Sequence, residues 1–189
     1  MKRLTVAMLA FAATCLSVRS LAQNNDDMKA MVAYATPGES HKMLAKSAGT
    51  WSAAISMWMA PGTQPTTATG TSTNEMIMGG RYLQTKNTGN MMGQPFEGNG
   101  IIGYDNVKKQ FIYSWIDNFG TGIETLTGTW DDAGKSINFT GTMVDPASGK
   151  DVPIREVWKM VDDNKQVMEM YASMNGKEFK TMEIQFTRK

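Results

Sequence analysis

His41 is the only histidine of this 189-residue sequence, and it limits the catalytic chemistry that the chain could perform. It lies in a short segment with helical spacing, where the neighbouring Ser40 points about 100° away, so the two cannot belong to one Ser-His-Asp triad. We therefore interpret His41 as a residue that packs or hydrogen-bonds where this helix covers one end of the fold. The alternative is that its imidazole ligates haem or a metal ion.

The ligands that build protein zinc sites are scarce in this chain. One histidine and one cysteine, Cys15, cannot supply the usual ligand set. The acidic pairs Asp131-Asp132 and Asp162-Asp163 stand beside Gly or Asn, where carboxylates commonly accept backbone hydrogen bonds in turns. We predict no metal site and no cofactor.

Methionine is frequent, with 17 residues. Thioethers bind Cu(I), but methionine also fills irregular apolar space and adapts to a ligand in a cavity. Copper would need several pairs of methionines to converge at one point, so we favour the packing role. Three pairs are spaced by two residues and therefore share a strand face: Met57 and Met59, Met76 and Met78, and Met168 and Met170.

Charged and aromatic residues inside predicted strands are the candidates for a binding site. Charged side chains that face the interior could orient the head group of a ligand, whereas alternation places the others in solvent. If its strand is regular, one of Arg155 and Glu156 must point inward. The charged residues of the strand runs are Arg81, Glu97, Asp117, Glu124, Arg155 and Glu169. From these and the aromatic residues we select Arg81, Glu97, Tyr104, Tyr113, Trp115 and Arg155 as candidate ligand-binding residues, and we assign no catalytic residue.

The strands that must position these residues begin at Ala48-Gly49-Thr50-Trp51. From here the apolar pattern changes from helical spacing to alternation, which is typical of half-buried strands. The predicted strands are Trp51 to Met59, Thr66 to Met78, Arg81 to Thr88, Phe96 to Tyr104, Gln110 to Asp117, Gly122 to Trp130, Ser136 to Val144, Val152 to Val161, Gln166 to Ser173 and Glu178 to Thr187.

Turn residues recur at short intervals between these runs, which indicates consecutive hairpins. A meander of this length removes its exposed edges by closing on itself. We therefore predict an all-β fold, a closed antiparallel up-and-down barrel of about ten strands. The predicted turns are Asp105-Asn106, Asp131 to Gly134, Asp145 to Gly149, Asp162 to Asn164 and Asn175-Gly176.

Arg188 is in phase with the apolar face of the last predicted strand, so it needs a partner. In a closed barrel the last strand lies beside the first, which carries Trp51. We predict that the Arg188 guanidinium stacks over the Trp51 ring and closes the barrel there.

A short helix is expected before the first strand. Thr36 can cap it, Pro37 suits its first position, and it should end near Gly49. Upstream, Met28 to Ala35 has the spacing of one or two helical turns.

The N-terminus has the pattern of a secretory signal peptide, with a short apolar run and a cut after Ala22. We predict a signal over residues 1–22, a flexible leader over 23–36 and one barrel domain over 37–189, located in the periplasm or secreted. The alternatives are a retained membrane anchor and lipidation at Cys15. The mature chain keeps 16 of the 19 basic residues against 18 acidic ones, which argues against nucleic-acid binding. No later stretch is apolar enough to span a membrane.

Several stretches carry a family resemblance: Glu39 to Leu44 leading into Ala48 to Trp51, Gly79 to Leu83, Phe96 to Gly100 with Gly103 to Asp105, Trp115 to Asp117, and Phe186 to Lys189. They resemble the bacterial DUF1579 family, a domain of unknown function, over about His41 to Lys189. The short helix, Gly-x-Trp on the first strand and arginine on the last also resemble lipocalin and calycin-type barrels. The resemblance implies a barrel fold and supplies no activity.

By analogy with such barrels, we expect non-covalent binding of a small apolar or amphipathic molecule. A hydrolase or isomerase that uses carboxylates and tyrosine would instead show two ionisable groups converging in a pocket with shifted pKa values. An envelope structural or interaction protein would show an exposed apolar patch outside the barrel mouth.

Overall fold

Ten antiparallel strands dominate the structure, a computed structural model that describes residues 25–174 and 176–189. Each strand pairs with its neighbours in the chain, and the first also pairs with the last, so the sheet closes into an up-and-down barrel. The barrel predicted from the sequence is therefore confirmed. The strands are β1 (Gly49–Met57), β2 (Thr66–Ile77), β3 (Tyr82–Met91), β4 (Gln94–Asp105), β5 (Gln110–Asp117), β6 (Glu124–Asp131), β7 (Ser136–Asp145), β8 (Lys150–Asp162), β9 (Lys165–Met174) and β10 (Lys177–Arg188).

Aspartates form the tight turns between several of these strands. The Oδ1 atom of Asp105 accepts hydrogen bonds from the backbone N–H groups two and three residues later, both at 2.8 Å. Such a local acceptor favours chain reversal over continuation of the strand. The same bond to the N–H two residues later occurs at Asp131, Asp145 and Asp162. In four of the five predicted turns, the aspartate therefore makes the expected hydrogen bond within the turn. Asn175, in the fifth, lies outside the described residues.

The closing seam joins β1 to β10, with Trp51 opposite Arg188. The guanidinium carbon of Arg188 lies 4.1 Å from the centroid of the fully buried Trp51 ring. Its nitrogens donate hydrogen bonds to the carbonyls of Lys46 and Ala48 at 2.7 Å, and of Asp163 at 2.8 Å. Arg188 therefore joins the start of β1 and the β8–β9 turn to the last strand.

Gly49 leaves room for this arginine. Its φ angle is +125°, and a Cβ atom there would lie 2.6 Å from the Arg188 Nη1 atom. A side chain at this position would be strained by the backbone conformation and would displace the guanidinium.

A short helix, α2 (Glu39–Ala45), covers one end of the barrel and buries Leu44 in the core. The predicted start of this helix is two residues too early, because the N-cap is Gly38 and not Thr36. The Gly38 N–H donates to the His41 Nδ1 atom at 3.0 Å, so the His41 side chain satisfies the backbone N–H of the N-cap residue. The Thr36 hydroxyl donates instead to the Val32 carbonyl at 2.6 Å and is not available as a cap.

The described chain divides into two units, residues 25–36 and residues 37–189. In the first unit, residues 25–35 form a helix, α1, where the sequence predicts one or two helical turns. The predicted signal peptide and Cys15 lie outside the described residues. Within residues 25–174 and 176–189, no helix combines the length and hydropathy that crossing a membrane requires.

Candidate ligand-binding site

The barrel encloses a cavity of about 310 Å³. It reaches the end of the barrel away from α2, where the exposed Met92 and Phe119 lie in the β3–β4 and β5–β6 connections at its mouth. Well-packed interiors hold few voids larger than a water molecule, so this space is too large to be a packing defect. Its apolar walls are built by Ala53, Ile55, Met57, Met91, Phe96, Ile102, Tyr113, Trp115, Phe139, Met143, Trp158, Met168, Met170, Met182, Ile184 and Phe186.

Buried hydrogen bonds that converge on Ser47, just after α2, seal the floor of the cavity. The Ser47 carbonyl accepts from the Trp51 indole and from the Asn74 amide, both at 3.0 Å. Its hydroxyl accepts from Gln166 at 2.8 Å, and Gln166 in turn accepts from the Trp158 indole at 3.1 Å. Because these polar groups are satisfied by one another, the floor is rigid and closed.

Three carboxylates line the cavity, and they differ in depth. Asp117 ends β5 at the mouth, where its oxygens accept hydrogen bonds from the Trp115 indole and from two loop N–H groups. Glu124 begins β6 and is half-buried. Glu156 lies deeper, on β8 opposite Phe139, and is only 3% exposed. Among the described residues, none donates a hydrogen bond to the Glu156 carboxyl, which opens into the cavity.

Burial and mutual repulsion perturb these acids. Burial, reinforced by the charge of Glu124, raises the pKa of Glu156 to about 8. Burial and then the charge of Asp117 raise the pKa of Glu124. Burial, followed by repulsion from the three carboxylates, raises the pKa of Tyr113 well above its ordinary value. At neutral pH the cavity therefore holds a mostly protonated carboxyl beside a protonated phenol.

Inward-facing glycines on β4 make room for the aromatic wall. A Cβ atom at Gly100 would lie 2.7 Å from a ring carbon of Tyr113 and 2.7 Å from the Thr85 hydroxyl. A Cβ atom at Gly98 would overlap the Trp115 ring, which occupies the space beside this glycine. Both glycines belong to the Phe96 to Gly100 stretch that carries the family resemblance, so this motif shapes the cavity.

The structure brings only two of the six candidate ligand-binding residues together, because Tyr113 and Trp115 line the cavity. Arg81 and Glu97 are exposed outside it. Tyr104 packs against Phe111 near α2. On the outer wall, Arg155 makes two hydrogen bonds to Glu178, at 3.1 and 2.7 Å, so Glu156 is the member of its pair that points inward.

The sequence pattern does indicate Glu156, although Glu156 is not among the six candidate ligand-binding residues. Ile154, Glu156 and Trp158 alternate on one face of β8, so an acid interrupts an apolar face. By the same criterion, a charged residue on an apolar strand face, Arg188 stands out on β10. Asp117 and Glu124 were among the charged residues considered, and both line the cavity.

His41 lies apart from the cavity lining, and only one of the three methionine pairs lies wholly within it. His41 is buried against the edge of Tyr104. Its pKa is lowered, chiefly by burial, so the imidazole stays neutral and accepts the Gly38 hydrogen bond. Of the three spaced pairs, only Met168 and Met170 both line the cavity, whereas Met59 and Met78 are exposed.

Comparison with solved structures finds the same barrel elsewhere. The crystal structure of Rv2717c from M. tuberculosis matches with a TM-score of 0.61 and 13% identity, over 82% of this chain and 99% of that one. At this identity the likeness concerns the fold alone. A search of curated proteins finds no match. The family model "Protein of unknown function (DUF1579)" matches residues 36–188, which is most of the chain. The chain therefore belongs to the DUF1579 family.

Proposed function

We propose that this protein is exported and binds a small, mostly apolar molecule inside its barrel. The cavity of about 310 Å³ is the observation that carries this proposal, since its volume lies at the lower end of the range of ligand pockets. Its wall combines rigid aromatic rings with flexible methionine side chains, which can adapt to the shape of a ligand. The few polar groups inside would orient that ligand.

Binding is tested with N-phenyl-1-naphthylamine, an uncharged probe that fluoresces in apolar sites, displaced by 1-decanol. We expect saturable binding to the wild type and at least about tenfold weaker binding to Ala53→Phe, because the added ring takes up cavity space and contacts. Ala53 lines the cavity opposite Gly70 and Phe186.

Ala54→Phe is the matched control, because Ala54 is the next residue of β1 and points outward. It should bind the probe as the wild type does. Circular dichroism and urea unfolding establish that both variants are folded. If a folded Ala53→Phe binds the probe as tightly as Ala54→Phe, the cavity is not the binding site.

Export is tested on the chain expressed with its own N-terminus. A denaturing mass of the protein recovered from the exported fraction should correspond to cleavage after Ala22. A native mass that exceeds it by a discrete amount would reveal a retained ligand. Recovery of an uncut chain from the cytosol alone would contradict the export proposal.

A second candidate function is proton-transfer catalysis, which the convergence of Glu156 and Tyr113 favours. A carboxylate with a pKa of about 8 is matched to general-base work near neutral pH, and a protonated phenol can stabilise a developing oxyanion. The test is incorporation of deuterium next to the carbonyl of 2-decanone in heavy water. An enzyme would accelerate exchange above the buffer rate and lose this effect in Glu156→Gln.

A further inference from the structure

The charges inside the cavity all have the same sign. Among the described residues that line it, the charged ones are Asp117, Glu124 and Glu156, and no lysine, arginine or histidine accompanies them. Three basic residues of the strands form ion pairs outside the cavity. Lys159 and Lys180 pair with Glu169 on the outer wall, and Arg155 pairs with Glu178. The interior is therefore acidic although the chain as a whole is close to neutral.

Glu156 is the group that this interior leaves without a protein partner. Buried carboxyls are ordinarily hydrogen-bonded or paired, because burying an unpaired charge is costly. The strands on either side place only Phe139 and Met170 opposite it. The titratable groups that face it are Tyr113 on β5 and Glu124 on β6, with Asp117 farther out, and none of them carries a positive charge.

A ligand that enters this cavity therefore meets three acidic side chains, the Tyr113 phenol, some uncharged polar groups and a largely apolar wall. A carboxylate, sulfate or phosphate head group would be repelled. An uncharged head group can hydrogen-bond to these groups but gains no charge pairing. A cationic nitrogen would pair with Glu156, and the apolar remainder of the molecule would contact the methionine and aromatic wall.

We propose that the natural ligand is an apolar molecule with one protonated amine or similar cationic nitrogen, and that Glu156 is its anchor. This inference rests on the proposed binding function and specifies the chemical class of its ligand. Asp117 and Glu124 line the way from the mouth to Glu156, so they attract the cation before it reaches the anchor.

The test compares three ten-carbon ligands that differ only in the head group: 1-decylamine, 1-decanol and decanoate. Each displaces N-phenyl-1-naphthylamine from the wild type at pH 8, below its aggregation concentration. We expect decylamine to bind at least about tenfold more tightly than decanol, because a charge-assisted hydrogen bond replaces a neutral one. Decanoate should bind more weakly than decanol.

Glu156→Gln should remove the preference for the amine and leave the affinity for decanol within about twofold, because the side-chain volume is kept. Glu75→Gln, the same change on the exposed outer face of β2, should keep the preference. Equal binding of decylamine and decanol by the wild type would overturn the inference, as would an amine preference that survives in Glu156→Gln. If decanol still binds in either case, the broader binding function is retained. If none of the three ligands binds and the probe does not bind either, that function is contradicted as well.

A measurement on the unmodified chain keeps the inference testable if the variant does not fold. An alkylammonium stays charged up to about pH 10, as a lysine side chain does. Pairing with Glu156 requires the carboxylate, so binding releases a proton below the pKa of about 8. Decylamine affinity should rise by up to about tenfold per unit between pH 6 and 8, while decanol affinity changes little. An amine affinity that is flat across this range would contradict the proposal.

Discussion

Replacing Glu156 with glutamine is expected to raise the free energy of unfolding by about 3 kcal/mol at pH 7. The pKa of Glu156 is about 8 in the folded protein and 4.5 is its ordinary value. Between these two pH values the folded state holds a proton that the unfolded chain has released. Wild-type stability therefore falls as the pH rises through this window. Glutamine cannot ionise, so the variant does not lose stability in this way. The difference in free energy of unfolding in its favour grows with pH until about 8.

Urea unfolding at pH 5 and pH 8 checks this prediction. The wild type and Glu156→Gln should differ little at pH 5, and the difference should be largest at pH 8. Glu75→Gln, which changes an exposed acid on β2, should follow the wild type at both pH values. The difference in free energy of unfolding between Glu156→Gln and the wild type could instead be the same at pH 8 as at pH 5. That result would show that the carboxyl ionises freely in the folded protein.

A residue that lowers stability at physiological pH suggests a functional reason for its presence. The ionised Glu156 carboxylate has no hydrogen-bond donor among the described residues. A cationic ligand would supply that donor, so binding should also offset the stability that the carboxylate costs. The stability experiment and the ligand experiment thus examine the same carboxyl in two independent ways.

The strands and turns were accessible to sequence reasoning because they depend on local chemistry. Aspartates such as Asp105 and Asp145 mark chain reversals through hydrogen bonds to backbone groups only two or three residues away. Closure followed from a longer-range argument, since a meander of about ten strands removes its exposed edges by closing on itself. Arg188, on the apolar face of the last strand, supported it because it needs a partner such as Trp51 on the first. Both arguments use patterns that are visible in the one-dimensional sequence.

The cavity site was less accessible because alternation fixes which residues share a face but does not say which face is inside. On β8, Arg155, Val157 and Lys159 share one face, and the other carries Ile154, Glu156 and Trp158. The large apolar side chains of the second face favour it as the inner one, but nothing in the alternation shows that Glu156 on that face meets an open cavity. The polar floor at Ser47 depends on contacts between residues more than 100 positions apart, such as Ser47 with Gln166, and no local pattern signals them.

Replacing Arg188 with alanine is expected to lower the free energy of unfolding by about 2–4 kcal/mol. The substitution removes a guanidinium that stacks 4.1 Å from the Trp51 ring centroid and donates to three backbone carbonyls. Those carbonyls belong to Lys46, Ala48 and Asp163, so one side chain holds the start of β1 and the β8–β9 turn against β10. Urea unfolding followed by tryptophan fluorescence measures the loss.

Arg155→Ala is the matched control for this prediction, because Arg155 also lies over an aromatic ring, that of Tyr171, at 3.9 Å. Its hydrogen bonds go to the exposed Glu178 carboxylate on the outer wall and not to the closing seam. Surface ion pairs contribute little, so Arg155→Ala should lower the free energy of unfolding by less than about 1 kcal/mol. Equal losses in the two variants would mean that stacking on a ring accounts for the effect of Arg188. A much larger loss in Arg188→Ala would instead assign the difference to the backbone hydrogen bonds that close the barrel.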